Sequence, residues 1–134
     1  DYELVETEKG LLILAADLVS ACLQRFGLTA QRVLGRAPGT ALEGLKLRHP
    51  LYAREVPLIV GMHVTLDAGT GLVHTAPAHG MDDYLVGQHY GLPVDNPVAD
   101  DGRFLPAVEL VGGKNVWEAN PLVIEALRSR GLLL

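Results

Sequence analysis

GTGLVHTAPAHGMDDY, residues 69–84, runs from a glycine-bearing turn through an apolar stretch to a proline and then into a helix start. Leu72 to Ala76 is predicted as a strand, so alternation places Leu72, His74 and Ala76 on one face and Val73 and Thr75 on the other. Pro77 ends it. A helix starting near Gly80 puts Asp82 and Asp83 in its first turn, where unpaired backbone N–H groups and the helix dipole stabilise carboxylates. One carboxylate is enough for a cap, so the second is free for another task.

Upstream, residues 57–61 (PLIVG) and 62–66 (MHVTL) are β-branched and apolar, and the Asp67-Ala68-Gly69-Thr70-Gly71 turn separates them from residues 72–76. Strand, turn and partner strand are the expectation. Residues 2–7 (YELVET) and 10–15 (GLLILA) predict a hairpin around Glu8 and Lys9. From Asp17 the apolar spacing becomes helical, with Leu18, Val19, Cys22, Leu23 and Phe26 on one stripe and Gly27 as a left-handed cap. Residues 31–36 (QRVLGR) predict another strand, and Leu45-Lys46-Leu47-Arg48 alternates apolar with basic up to Pro50. Lys46, Arg48 and Arg54 form a basic cluster able to meet phosphate, although the solvated side of an edge strand produces the same alternation.

Downstream, Gly91, Pro93 and Pro97 punctuate a loop, Asp101-Gly102 turns the chain before Arg103-Phe104-Leu105, and Gly112-Gly113 turns it again. Asn120-Pro121 predicts a helix start, with Leu122, Val123, Ala126 and Leu127 as its buried stripe and Gly131 as its end. The expectation is one domain over residues 1–134, mainly β with peripheral helices (α+β). Seven or eight short strands against three helices suit a bent sheet or a closed β-barrel.

A chain of 134 residues can bury a genuine core. No apolar run approaches the roughly 20 residues of a membrane span, so a soluble protein is expected. Cys22 is the single cysteine, which excludes an internal disulfide and suits a reducing, cytoplasmic compartment. The formal charge of -5 argues against holding a long nucleic acid on a continuous basic face, though a few nucleotides can still enter a pocket. The N-terminus, DYELVETEKG, is acidic and lacks the features of a secretory or transit peptide; an excised fragment is the expectation.

Residues 69–84 leave several chemistries open. A carboxylate at the mouth of a polar pocket suits an ammonium group, while His74, His79 and His89 are each compatible with a packed or rim histidine. Gly69 to Gly71 make a turn that also lets a ligand approach the backbone. His74, His79 and Asp83 could ligate a metal, but their spacing is not the HExxH arrangement that sets two histidines on one helix face. Ser20 and Ser129 both lie in expected helices, which gives a nucleophilic triad little support.

These residues carry a resemblance. GTGLVHTAPAHGMDDYLVGQHYGLPVDNPVADDGRF (residues 69–104), the preceding HVTLDAG (63–69) and the ending NVWEANPLVIEALRSRGLLL (115–134) are similar to the editing domain of isoleucyl-tRNA synthetases, class I enzymes. The likeness covers essentially the whole chain. Valyl relatives carry a lysine, and leucyl relatives an apolar residue, where this chain has His74.

The resemblance implies hydrolytic proofreading: clearance of valine from the tRNA for isoleucine, and of valyl-adenylate. It assigns Asp83 to the substrate's α-ammonium and His74 to the pocket rim and to water orientation. Around this catalytic pair it places Gly69, Thr70, Gly71, Thr75, His79 and Asp82 as substrate-binding residues. It implies no cofactor in this domain, since ATP, magnesium and zinc belong to other parts of such enzymes. The implied partners are the aminoacylated 3′ end of the tRNA, the valine moiety and the rest of a parent synthetase, with no membrane and a monomeric chain. One departure matters: the family's threonine-rich segment with its adjacent tryptophan has no counterpart in these residues. A weakly active or inactive isolated chain is therefore expected, the alternative being a non-catalytic insertion that folds and binds the tRNA 3′ end.

Overall fold

The computed structural model describes residues 1–134 and is mixed α+β, with two small antiparallel sheets and three α-helices. Strand β1 (Tyr2–Thr7) lies between β2 (Gly10–Ala15) and β3 (Ala30–Ala37), and α1 (Val19–Phe26) connects the last two. Strands β4 (Lys46–Arg48) and β5 (Glu55–Pro57) form the second sheet, followed by α2 (Met81–His89) and α3 (Val116–Ser129). The chain gathers into two compact units, Asp1–Leu47 with Val56–Thr75, and Arg48–Glu55 with Ala76–Leu134. No helix is long and apolar enough to cross a membrane.

In the first unit the central strand sets the register. Glu3, Val5 and Thr7 alternate inward along β1, and the core gathers Val5, Leu14, Ala15, Cys22 and Leu23. Burying Glu3 is tolerated because Arg36, its partner across β3, holds the carboxylate through both Nε and Nη2. Arg32 pairs with Glu6, also its register partner, at 3.3 Å. The β1–β3 register shifts once between these two pairs, at Leu34, and once beyond them, at Gln31, leaving both as extra residues on β3. Such bulges bend a strand and raise its twist, so the sheet is bent; with only three strands, β2 and β3 remain its edges and the expected barrel does not close. Helix α1 ends as its sequence predicts, at a left-handed Gly27.

The expected strands over residues 57–66 and 72–76 are not formed beyond β5; both stretches are irregular chain. A β-branched run becomes a strand only where a neighbour completes its ladder. Here Leu58 exchanges single hydrogen bonds with Gly44 and Leu45, and Val64 closes a turn on Gly61. Arg103-Phe104-Leu105 likewise forms only isolated bridges, Val98 to Phe104 and Arg103 to Asn115.

In the second unit α3 begins earlier than its proline suggests. Asn115, not Asn120, is the cap: its side chain accepts from the Trp117 N–H at 3.0 Å, and Glu118 accepts from the Asn115 N–H at 3.0 Å. Pro121 therefore lies inside the helix, where it removes one backbone hydrogen bond. The earlier start adds Ala119, fully buried, to an inner face that also carries half-buried Val123, Ala126 and Leu127, while Leu122 of the expected stripe is exposed. Asn115→Ala should cost about 1 kcal/mol, the usual worth of such a cap, and urea unfolding monitored by far-UV circular dichroism would measure it.

Candidate functional site

The motif spans both units, residues 69–75 belonging to the first and 76–84 to the second. In the first, three successive carbonyls are tied to the sheet and its helix. The Cys22 thiol donates to Gly69 O at 3.1 Å, the Ala15 N–H to Thr70 O at 2.9 Å, and the Tyr2 hydroxyl to Gly71 O at 2.6 Å. Thr70 closes the turn on itself, its Oγ1 accepting from the Leu72 N–H at 3.2 Å. Gly71 is buried with φ +78°, and a Cβ there would sit 2.4 Å from Ala15 Cβ. Gly71 is thus required by the fold whatever it does for a ligand. Past this anchor the chain emerges: His74 is exposed and Thr75 half-buried.

In the second unit α2 starts at Gly80, whose extended backbone supplies no side chain to cap the helix. Asp82 is exposed in the first turn. Asp83 is half-buried, and its Oδ2 accepts from the Ala76 N–H at 3.0 Å. That charge-assisted bond fixes the carboxylate against the chain leading into Pro77. Oδ1 makes no hydrogen bond within the chain. The result is a positioned anion with one oxygen available to a donor.

An open cleft of about 570 Å³ lies beside the start of α2, lined by Pro77, His79, Met81, Tyr84, Val94 and Asn96 among others. His79 is exposed, and its Nε2 lies 3.1 Å from Asn96 Oδ1, which also accepts from the Val98 N–H at 3.0 Å. Because an amide oxygen only accepts, His79 Nε2 is the donor, leaving Nδ1 as the ring's other position. Sequence reasoning singled out His79 but missed Asn96 and Tyr84. Asn96-Pro97 carried a signal, since an asparagine that bonds the N–H two residues on is a common turn device. Tyr84, whose hydroxyl accepts from Gln88 Nε2 at 2.7 Å, reads in sequence only as a helical residue. No three histidine, cysteine, aspartate or glutamate side chains gather as metal ligands.

Residues 22–112 match the family model described as leucyl-tRNA synthetase, editing domain. The chain is 59% identical over 134 residues to an isoleucine–tRNA ligase of Chromobacterium violaceum, covering 100% of this chain and 14% of the relative. It is 58% identical to the corresponding ligases of Thiobacillus denitrificans and Nitrosomonas europaea, over 99% and 100% of this chain. In each case it spans 14% of the relative's length.

Proposed function

The chain belongs to the editing-domain family of the class I aminoacyl-tRNA synthetases, in the form carried by isoleucine–tRNA ligases, and from that premise we propose that it hydrolyses valine wrongly esterified to the tRNA for isoleucine. The need for such a step is physical. One methylene in a hydrophobic pocket is worth only about 1–3 kcal/mol, the isoleucine–valine pair being the standing illustration of that limit, so a second, smaller pocket must destroy the shorter product.

The observation that carries this reading is Asp83: a carboxylate held by one oxygen on a backbone N–H, with the other oxygen unengaged. The substrate is an ester bearing a free α-ammonium, and a fixed carboxylate is the group that recognises it. With the ammonium anchored, water attacks the ester carbonyl. The tetrahedral intermediate collapses with cleavage of the bond to the ribose oxygen, which takes up a proton, and valine and free tRNA leave. His74 acts at the rim, filling the space that isoleucine's additional methylene needs and orienting the water. Of the other residues that the resemblance assigns to the aminoacylated end, His79 and Asp82 belong to the same unit as Asp83, and Gly69, Thr70, Gly71 and Thr75 to that of His74.

The test is a deacylation assay with valyl-tRNA for isoleucine. This chain alone is compared with the Chromobacterium violaceum ligase in which it replaces its 134-residue counterpart. The chimera is expected to clear valine and spare isoleucine, whereas the chain alone is expected to act slowly or not at all. His74→Ala in the chimera should leave valine clearance within about tenfold and open isoleucyl-tRNA to hydrolysis, because rim volume and not charge excludes it. A chimera that binds the acceptor end but clears no valine would favour a docking module without chemistry.

A further inference from the structure

We propose that the loop spanning residues 48–55 is a contact surface for the phosphodiester backbone of an RNA strand, with Arg48 and Arg54 gripping successive phosphates. It is built from residues outside the 69–84 motif. A cleft of about 400 Å³ is lined by Arg48, Tyr52, Ala53, Arg54 and Glu55. Both guanidinium groups are exposed, and neither meets a carboxylate. By contrast, Arg32, Arg36, Arg103 and Arg128 each face an acid. Glu55 is the one acid in the cleft, so its lining carries a net positive charge.

The loop is also braced beyond what a HPLYAR turn requires. His49 Nδ1 accepts from the N–H groups of both Leu51 and Tyr52 at 3.1 Å, and its ring packs on Tyr52 with centroids 4.9 Å apart. The Tyr52 hydroxyl donates to Glu109 O at 3.0 Å. Arg130, one residue past α3, donates to the carbonyls of Pro50 and Leu51, both at 2.9 Å. Arg54 in turn lies 5.7 Å from the centroid of the Tyr52 ring, a cation–π distance between two residues that both line the cleft.

Two exposed guanidinium groups on a braced loop suit phosphate, which accepts their planar fork of donors in a way that a lysine's point charge does not reproduce. The chain's net charge of -5 limits the contact to a phosphate or two, without a long basic track. An RNA strand is favoured over an acidic peptide because the proposed function already brings an RNA end to this protein. The inference rests on that part of the proposed function and not on hydrolysis.

The test is fluorescence anisotropy of a labelled, unstructured RNA dodecamer carrying no amino acid, titrated with the whole chain from about 25 to about 200 mM salt. The Arg48→Ala/Arg54→Ala double variant should bind about tenfold more weakly at low salt, and its log–log salt slope should be shallower by about 1.4, the value for two lost phosphates on a single strand. Lysine at both positions should keep the salt slope while losing part of the affinity. Arg32→Ala, in the first unit, should match the parent chain. An unchanged slope in a double variant that keeps the parent's far-UV spectrum overturns the proposal, as does a loss equalled by Arg32→Ala. Preferential capture of a hexaglutamate peptide also overturns it, since the cleft would then select carboxylates. Because the RNA carries no ester, this binding and the valine hydrolysis can fail independently.

Discussion

Asp83→Ala is expected to lower valine clearance by the chimeric ligase about 30- to 150-fold, with isoleucine attachment to tRNA unchanged. The figure is that of deleting one partner of a charge pair at the lower end of the range for desolvated pairs, about 2–3 kcal/mol, because Asp83 is only half-buried. Two separate losses follow from the substitution. The substrate's ammonium loses its counter-charge, and the Ala76 N–H loses its acceptor, so the chain entering Pro77 is released from α2. Asp83→Asn separates them: an amide oxygen still accepts from Ala76, while the negative charge is gone. If charge recognition is the role of Asp83, the asparagine variant is as defective as alanine in steady-state deacylation. Activity restored to within a few-fold of the parent would instead make Asp83 a backbone brace and remove the main support for ammonium recognition.

Gly71→Ala is expected to destabilise the first unit by about 3–4 kcal/mol. Roughly 1 kcal/mol comes from placing an L-residue at φ +78°, and about 2–3 kcal/mol from forcing a methyl group to within 2.4 Å of Ala15 Cβ, where close packing leaves no room to yield. Ala15 is buried and its N–H donates to Thr70 O, while Tyr2 closes the other side with its bond to Gly71 O. Gly69→Ala is the internal comparison. Its φ of +77° is nearly the same but nothing lies within 4 Å of its added Cβ, so only the backbone cost of about 1 kcal/mol applies. Urea unfolding of both variants separates conformation from contact. Equal losses at the two positions would mean that the turn relaxes away from Ala15 and is not clamped onto the sheet.

The local devices were legible because they act over a few residues. The hairpin around Glu8 and Lys9, the helix closing at Gly27, and the helix start at Gly80 with two aspartates in its first turn all follow from turn chemistry and dipole logic, and the structure contains each. The motif's family was legible too, since His74, Asp83 and the surrounding glycines stand in one short stretch. Asn120-Pro121 misled because a proline is acceptable at the first helical position, yet Asn115 with Glu118 offers a two-way cap that a lone Asn-Pro pair cannot match.

What the linear order of residues established was identity and chemistry: a mixed α+β chain, a motif with one carboxylate to spare, and the editing-domain likeness. Those properties reside in side-chain types and short spacings. What the tertiary structure decided was partnership. Residues 58–66 and 72–76 hold strand-forming side chains, but no neighbouring strand completes their hydrogen bonds, so they remain irregular. Asp83 joins Ala76, three consecutive carbonyls are fastened to Cys22, Ala15 and Tyr2, and a short basic run becomes a braced cleft through Arg130. Hydrogen bonds and van der Waals contacts between residues distant in sequence form only when the fold brings them within a few ångströms, and no spacing rule along the chain encodes that distance.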